Sequence, residues 1–262
     1  MRDAFKAMPV KTDRKDARGI AQLMRLGWFR PVHCKSLAAQ ETRALLTARQ
    51  LLQAKRLDVE MSLRGVLRGF GLKVGPTTTR TFPVRIRELV AGHPTLTAVA
   101  EALLAARETL GEQLRGLEKR LRDQAREDER ARLLMTTPGV GVIVALTFVA
   151  AVDDPARFRS SKAVGAHFGL TPKRYQSGET DVTGGISKAG DAMVRAALYE
   201  AANVMLTRAG QFSTLKRWAL GVAQRRGMRR GKVALARKLA TVLHRMWVDG
   251  SEFRFGQQAA AA

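Results

Sequence analysis

The chain has 262 residues, with 46 lysines and arginines against 23 aspartates and glutamates, a formal net charge of +23. An imbalance of that size repels itself unless a polyanion is the working partner. Nucleic acid is the usual one, because each neutralised phosphate releases a counterion. A membrane class is set aside, since no uninterrupted apolar run is long enough to span a bilayer and the N-terminus lacks the order of a signal peptide. The length allows two domains and a real core.

The single cysteine, Cys34, excludes an internal disulfide and a cysteine zinc cluster, which fits a reducing cytosol. The four histidines, His33, His93, His167 and His244, lack metal-ligand spacing.

In chain order, residues 1–35 form a basic opening segment. A helix is predicted from Thr12 or Asp13 through Ile20, Leu23 and Met24 to Leu26, where Gly27 and Pro31 break it. Asp13 reads as the N-cap and Asp16 as a first-turn acid near the positive helix end. The same spacing puts both carboxylates on one helix face, where they can hold a divalent cation against a phosphate.

Residues 36–72 and about 95–134 read as two long helices. Leu45, Leu52, Val59 and Val66 recur every seven residues in the first. In the second, Leu96, Leu103, Leu110 and Leu117 form one such row, and Ala100, Leu114 and Leu121 the next, interrupted by Arg107. Heptad spacing keeps an apolar seam toward a partner helix. The two readings are a coiled-coil hairpin, which implies a homo-oligomer, and two amphipathic helices within a bundle. A glycine- and threonine-rich turn joins them.

From about residue 133 glycine becomes frequent and short apolar runs replace the charged heptads, which marks a separate domain over 133–256 and a frayed tail over 257–262. Pro138-Gly139-Val140-Gly141 between apolar runs resembles a helix-hairpin-helix turn. The glycines permit a tight turn, and the N–H groups opening the next helix can hold a phosphate. The alternative is a glycine turn between two core helices.

Residues 169–190 are rich in glycine and proline and read as a loop or short hairpin. Ser177 and Ser187 sit there near Lys173, Arg174, Lys188 and Arg195. A serine hydroxyl is a poor nucleophile unless assisted, and neighbouring cations can dock a phosphate and stabilise its developing charge. From 201 to 248 there is no acid, while eleven lysines and arginines occur, among them Arg225, Arg226, Arg229 and Arg230, interleaved with Trp218 and Trp247. That composition fits a phosphate-tracking surface.

Taken in order, these motifs resemble the DEDD transposases of insertion sequences, relatives of the Piv/MooV DNA invertases. The resemblance rests on the run from Lys11 to Gln22, Arg30-Pro31-Val32-His33, Pro138 to Gly141, Arg157 to Ser160, Phe168 to Pro172, Gln176-Ser177-Gly178 and Ile186 to Gly190. It implies a RuvC-like nuclease domain, represented here by 1–35, then a helical insertion over 36–132 and a transposase domain over 133–256.

The resemblance also implies DNA cleavage and rejoining in a multimer in the bacterial cytoplasm. Ser177 would be the nucleophile, with Ser187 as fallback. Asp13 and Asp16 would be the last two acids of a four-acid Mg²⁺ site. Pro138, Gly139, Gly141, Lys173, Arg174, Lys188, Arg195 and the arginines at 225, 226, 229 and 230 would bind nucleic acid. A structured guide RNA from the same element is an implied partner.

The family's first two acids lie upstream of the Lys11-Thr12-Asp13 motif, and only ten residues precede it here. The rival expectation is therefore a DNA- or RNA-binding transposase remnant without catalysis. A lesser rival is a structural RNA- or junction-binding protein. The expected fold is mainly α, with a helical hairpin, a helix-hairpin-helix and a short irregular or β segment.

Overall fold

The computed structural model describes residues 12–29, 32–208, 210 and 212–256. These form ten α-helices and one two-stranded sheet, the expected mainly α fold. The chain divides into two units, Met1–Lys35 and Ser36–Ala262.

In the first unit, α1 spans Asp13–Arg25. Its N-cap is Thr12, not Asp13: the threonine backbone is extended and its Oγ1 accepts the Lys15 N–H at 3.3 Å. Asp13 and Asp16 both lie in the first turn, where the positive helix end favours carboxylates. Gly27, at φ +65°, takes the left-handed conformation beyond the helix end.

In the second unit, α2 (Leu37–Gly69) and α4 (Pro94–Glu127) pack antiparallel. Their cross-links run down one helix as they climb the other: Gln124 Nε2 donates to Thr42 Oγ1 at 2.6 Å, Arg49 pairs with Glu118 at 2.8 Å, and Arg107 pairs with Glu60 at 2.7 Å. The seven-residue row of α2 is not its buried seam. Val66 is exposed and Leu45, Leu52 and Val59 are half-buried, whereas Leu46, Leu63 and Leu67 are buried. The reason is that α2 serves two cores. Leu46 joins the core of the C-terminal helices, while Leu63 and Leu67 join a second cluster at the far end.

That second cluster is built around α3 (Thr81–Val90), which fills part of the expected turn. Phe82, Ile86 and Val90 recur every four residues and bury one stripe against Leu63, Leu67, Leu96, Ala100 and Leu104. Pro83 is tolerated because a first-turn residue needs no backbone donor. Arg107 fills its row instead of interrupting it. It is 3% exposed, donates to Glu60 Oε1 at 2.7 Å and to the Thr79 carbonyl at 3.0 Å, and lies 5.1 Å from the Phe82 ring centre.

The second long helix ends at Glu127, short of the expected 134, because Asp128 starts a new one. Its carboxylate accepts the N–H groups of Arg130 and Ala131 and opens α5 (Glu129–Met135). There follow α6 (Val142–Val152), a 3-10 turn (Pro155–Arg157) and α7 (Ser161–His167). Strands β1 (Pro172–Ser177) and β2 (Thr180–Ile186) come next, and then α8 (Ala192–Thr207), α9 (Thr214–Arg226) and α10 (Met228–Asp249). Helix α6 is apolar almost throughout and is surrounded, as a helix hydrophobic on all sides must be. With Phe168 it supplies Leu146 and Phe148 to a core shared with Leu198, Met205, Leu235, Leu239 and Leu243. Each fully buried side chain of this kind stabilises the fold by about 1.5–3 kcal/mol.

Two polar links tie α2 into this core. Ser36, the N-cap of α2, donates its N–H and hydroxyl to Asp153 at 2.8 and 2.6 Å. Arg43 of α2 pairs with Asp191, the N-cap of α8. Burial pushes the Asp191 carboxyl up, but hydrogen bonds from Arg43, Val194 and Met193 together with the arginine charge outweigh it and hold it below the usual range.

Candidate nucleic-acid surface and nucleophile

Strands β1 and β2 are antiparallel, and Ser177 faces Thr180 across a two-residue turn. Gly178, first of the turn residues, sits at φ +56°, the conformation a type II′ hairpin asks of that position. Every residue from 172 to 185 is exposed. Ser177 therefore stands at the free end of a ribbon, and among the described residues no hydrogen bond engages its hydroxyl.

The expected cations divide into free and occupied. Arg174 is occupied: Nε and Nη2 grip the Asp181 carboxylate across the hairpin at 2.9 and 2.6 Å. That hydrogen-bonded pairing raises Arg174 and lowers Asp181 from their ordinary values. Arg195 is also occupied. Its Nη1 donates to the carbonyls of Phe168, Ala189 and Gly190 at 3.2, 2.7 and 3.1 Å, so it clasps the loop at the hairpin base.

That loop is tight. A Cβ on Gly169 would lie 2.2 Å from the Ala189 carbonyl, and one on Gly190 2.3 Å from the His167 carbonyl. Ser187 is half-buried here, donating its N–H to the Thr171 carbonyl at 2.8 Å. Lys173 and Lys188 are exposed, Lys188 at φ +57°.

The acid-free segment folds as the end of α8, then α9 and α10. Arg225 and Arg226 end α9, and Arg229 and Arg230 lie in the first turn of α10, all four exposed. None of the four has a carboxylate partner among the described residues. Two cations at the positive end of a helix are repelled by it, a cost that a bound anion removes. Arg245, by contrast, is taken by Asp249 at 2.6 Å. Gly231 lets the two helices close, since a Cβ there would come within 2.8 Å of Ala223 Cβ.

Sequence reading did not foresee a cleft of about 650 Å³ between this pair of helices and the hairpin base, bordered by Pro172, Gly185, Trp218, Arg229, Arg237 and Lys238. Its two sides are about fifty residues apart in sequence, and only the packing of α9 and α10 joins them. The one legible signal was Trp218 within the basic run.

The Pro138 turn links α5 to α6. Gly139 adopts φ +85° and is wedged on α8: a Cβ there would lie 2.4 Å from the Ala201 carbonyl. Pro138 is half-buried. Gly141 is exposed and caps α6 without any side-chain hydrogen bond, which leaves the first N–H groups of α6 without a capping side chain. The turn thus joins a packing role at Gly139 with open donors beyond Gly141.

In the first unit, Asp13 is exposed and Asp16 half-buried on α1. Among the described residues there is no group of three or more His, Cys, Asp or Glu that could hold a metal. Two carboxylates are half of the expected four-acid set, so these residues alone do not complete a Mg²⁺ site. Among the described residues, no helix is long and apolar enough to cross a membrane.

Residues 131–219, which contain the Pro138 turn, the hairpin and the start of α9, match the transposase family described as IS116/IS110/IS902. The transposase for insertion sequence element IS1111A of Coxiella burnetii is 30% identical over 251 residues, covering 94% of this chain and 69% of that protein. The chain belongs to this family of insertion-sequence transposases. The transposase for insertion sequence element IS1328 of Yersinia enterocolitica is 34% identical over 145 residues, 55% of this chain and 43% of its own length. A Sinorhizobium fredii relative is 30% identical over 250 residues, of which the chain spans 64% of the relative's length. The family match begins within α5 and ends within α9, so it omits α10 and four of its cations, Arg229, Arg230, Arg237 and Lys238.

Proposed function

We propose that this chain cleaves and rejoins DNA strands in the transposition of an insertion sequence, with Ser177 as the nucleophile. The observation that carries the reading is the placement of Ser177 at the exposed end of the β1–β2 ribbon, in the same unit as the acid-free helices α9 and α10. Duplex DNA bound by Arg225, Arg226, Arg229 and Arg230 presents phosphates, and the exposed Ser177 hydroxyl, which has no hydrogen bond among the described residues, is open to one of them.

In the step itself, Ser177 Oγ bonds to phosphorus as the bond from phosphorus to one sugar oxygen breaks. The serine proton leaves to solvent or a base, and the departing sugar oxygen gains one. Attack by a sugar hydroxyl of the second strand reverses these changes, so the phosphodiester is reformed without an energy source. Lys173 and Lys188 are the exposed cations nearest Ser177 in sequence that have no carboxylate partner among the described residues, and they serve as phosphate contacts. Arg174 joins them only by exchanging Asp181 for phosphate.

Asp13 and Asp16 belong, on the DEDD and Piv/MooV likeness, to a RuvC-like Mg²⁺ site. Asp13 and Asp16 alone do not complete that site among the described residues. The same likeness supports the division into a RuvC-like segment over 1–35, a helical insertion over 36–132 and a transposase domain over 133–256. It also supports action as a homo-oligomer, a structured guide RNA as partner and the bacterial cytoplasm as the place of action. A second reading, nucleic-acid binding without catalysis, is favoured by the lack of a third acid near Asp13 and Asp16 among the described residues.

Ser177→Ala separates the two. Strand exchange between two element ends, assayed in a full-length context, is expected to stop while duplex binding persists. Exchange that continues in Ser177→Ala refutes the nucleophile.

A further inference from the structure

The cleft at the hairpin base has no part in the chemistry assigned to Ser177. Its volume, about 650 Å³, lies in the range of small-ligand sites. The lining has an apolar floor of Leu170, Pro172, Ile186, Val233 and Ala234, and three further chemistries beside it. Gly184 and Gly185 present bare backbone, and a Cβ built on Gly185 meets nothing within 4 Å. Trp218 presents an indole that is 39% exposed. Arg229, Arg230, Arg237 and Lys238 present positive charge, and among the described residues no acid lines the cleft.

An aromatic face beside an uncompensated cationic wall matches a nucleotide, which carries a flat π-system and a phosphate on one body. A paired base has both faces covered by its neighbours in the stack and cannot reach Trp218, so the occupant is unpaired. Lys238 Nζ sits 4.7 Å over the Trp218 ring. A cation–π contact at an exposed site is weaker than base stacking. An arriving base therefore displaces the ammonium, which becomes free for the phosphate.

We propose that this cleft holds an unpaired nucleotide of the DNA strand being exchanged, with its base on Trp218 and its phosphate on the surrounding cations. The inference rests on the strand-exchange reading above. Moving a strand from one duplex to another leaves the nucleotides beside the break without partners, and the same ribbon that carries Ser177 borders the cleft at its base. Pro172 and Ser177 are the two ends of β1. Five strand steps cover roughly 17 Å, about five nucleotides at stacked spacing.

The test uses the full chain with Trp28→Phe and Trp247→Phe, which leaves Trp218 as its one indole. Emission is followed while a 12-mer of deoxyuridine, a 12-mer of uridine or a 12-base-pair DNA duplex is added. Deoxyuridine is expected to quench Trp218 saturably, and more tightly than uridine. Gly185→Leu, which fills the cleft from a position with open space around its Cβ, is expected to weaken deoxyuridine binding about 5- to 150-fold while duplex affinity holds. Trp218→Leu, read by anisotropy of a labelled oligomer, is expected to do the same.

If the duplex binds but deoxyuridine leaves Trp218 emission unchanged, or if Gly185→Leu has no effect on deoxyuridine binding, the cleft assignment fails and the strand-exchange reading survives. Tighter binding of uridine overturns DNA as the occupant. If neither single strands nor duplex bind, this inference and the proposed function fail together.

Discussion

Gly139→Ala puts a number on the Pro138 turn. The new methyl would lie 2.4 Å from the Ala201 carbonyl oxygen and 3.1 Å from the Met205 amide nitrogen, both backbone atoms of α8 that cannot swing aside. The residue is also held at φ +85°, which costs a non-glycine about 1–2 kcal/mol. Forcing extra volume into a packed contact adds about 1–3 kcal/mol. The sum, about 2–5 kcal/mol, is a large part of an ordinary domain's stability. For a unit of this size it corresponds to a fall in Tm of roughly 4–20 °C.

Gly141→Ala is the internal control. Its φ of −102° suits any residue and nothing lies within 4 Å of an added Cβ, so only the helix cap is weakened, by about 1 kcal/mol. Thermal unfolding of both variants by circular dichroism measures the difference. If Gly139→Ala melts no lower than Gly141→Ala, the wedge against α8 is not what requires glycine, and the packing argument is wrong.

Val142→Pro removes one N–H at the first position of α6, where proline is well tolerated. If these donors hold a phosphate, duplex affinity falls by about 1.5–3 kcal/mol at nearly unchanged Tm; unchanged affinity would leave the turn a purely structural joint. Arg229→Gln and Arg230→Gln should each lower the slope of log affinity against log salt by about one, and a slope that does not move removes them from the phosphate surface.

Arg107→Leu should cost less than the 3–5 kcal/mol of a fully buried broken pair, because Glu60 keeps Arg56 at 3.6 Å. Urea unfolding should show about 1–3 kcal/mol, and no loss would mean Arg107 only fills space.

Asp191 and Asp128 both lie below the ordinary carboxylate range, burial being opposed and outweighed by hydrogen bonds and the charges of Arg43 and Arg130. A depressed folded value contributes stability above the unfolded value. That contribution is lost as pH falls through the folded value, so it disappears on acidification below about pH 5. Asp191→Asn should flatten this acid limb of the Tm profile, and an identical limb would count against the Arg43–Asp191 tie.

Local chemistry made much of this protein legible from the chain alone. The mainly α character, the two long helices, the break at Gly27 and the hairpin around Gly178 all follow from periodicity and turn residues acting within a few positions. The acid-free stretch before Asp249 was legible too, because charge needs no fold to be counted. The family motifs at Pro138, Ser177 and Ile186 are short and local, and they could be read in order.

What depends on distant partners was not legible. The seven-residue row of α2 gave way to Leu46, Leu63 and Leu67 because one helix meets two cores. Arg107 looked like an interruption until Glu60, 47 residues away, turned out to neutralise it. Arg174 and Arg195 looked alike in sequence as free cations, yet Asp181 and three backbone carbonyls engage them. The cleft at Trp218 exists only where α9 and α10 close on the hairpin base. A sequence sets which groups are present and how each turn prefers to bend, whereas burial and pairing belong to segments far apart, and packing alone brings those together.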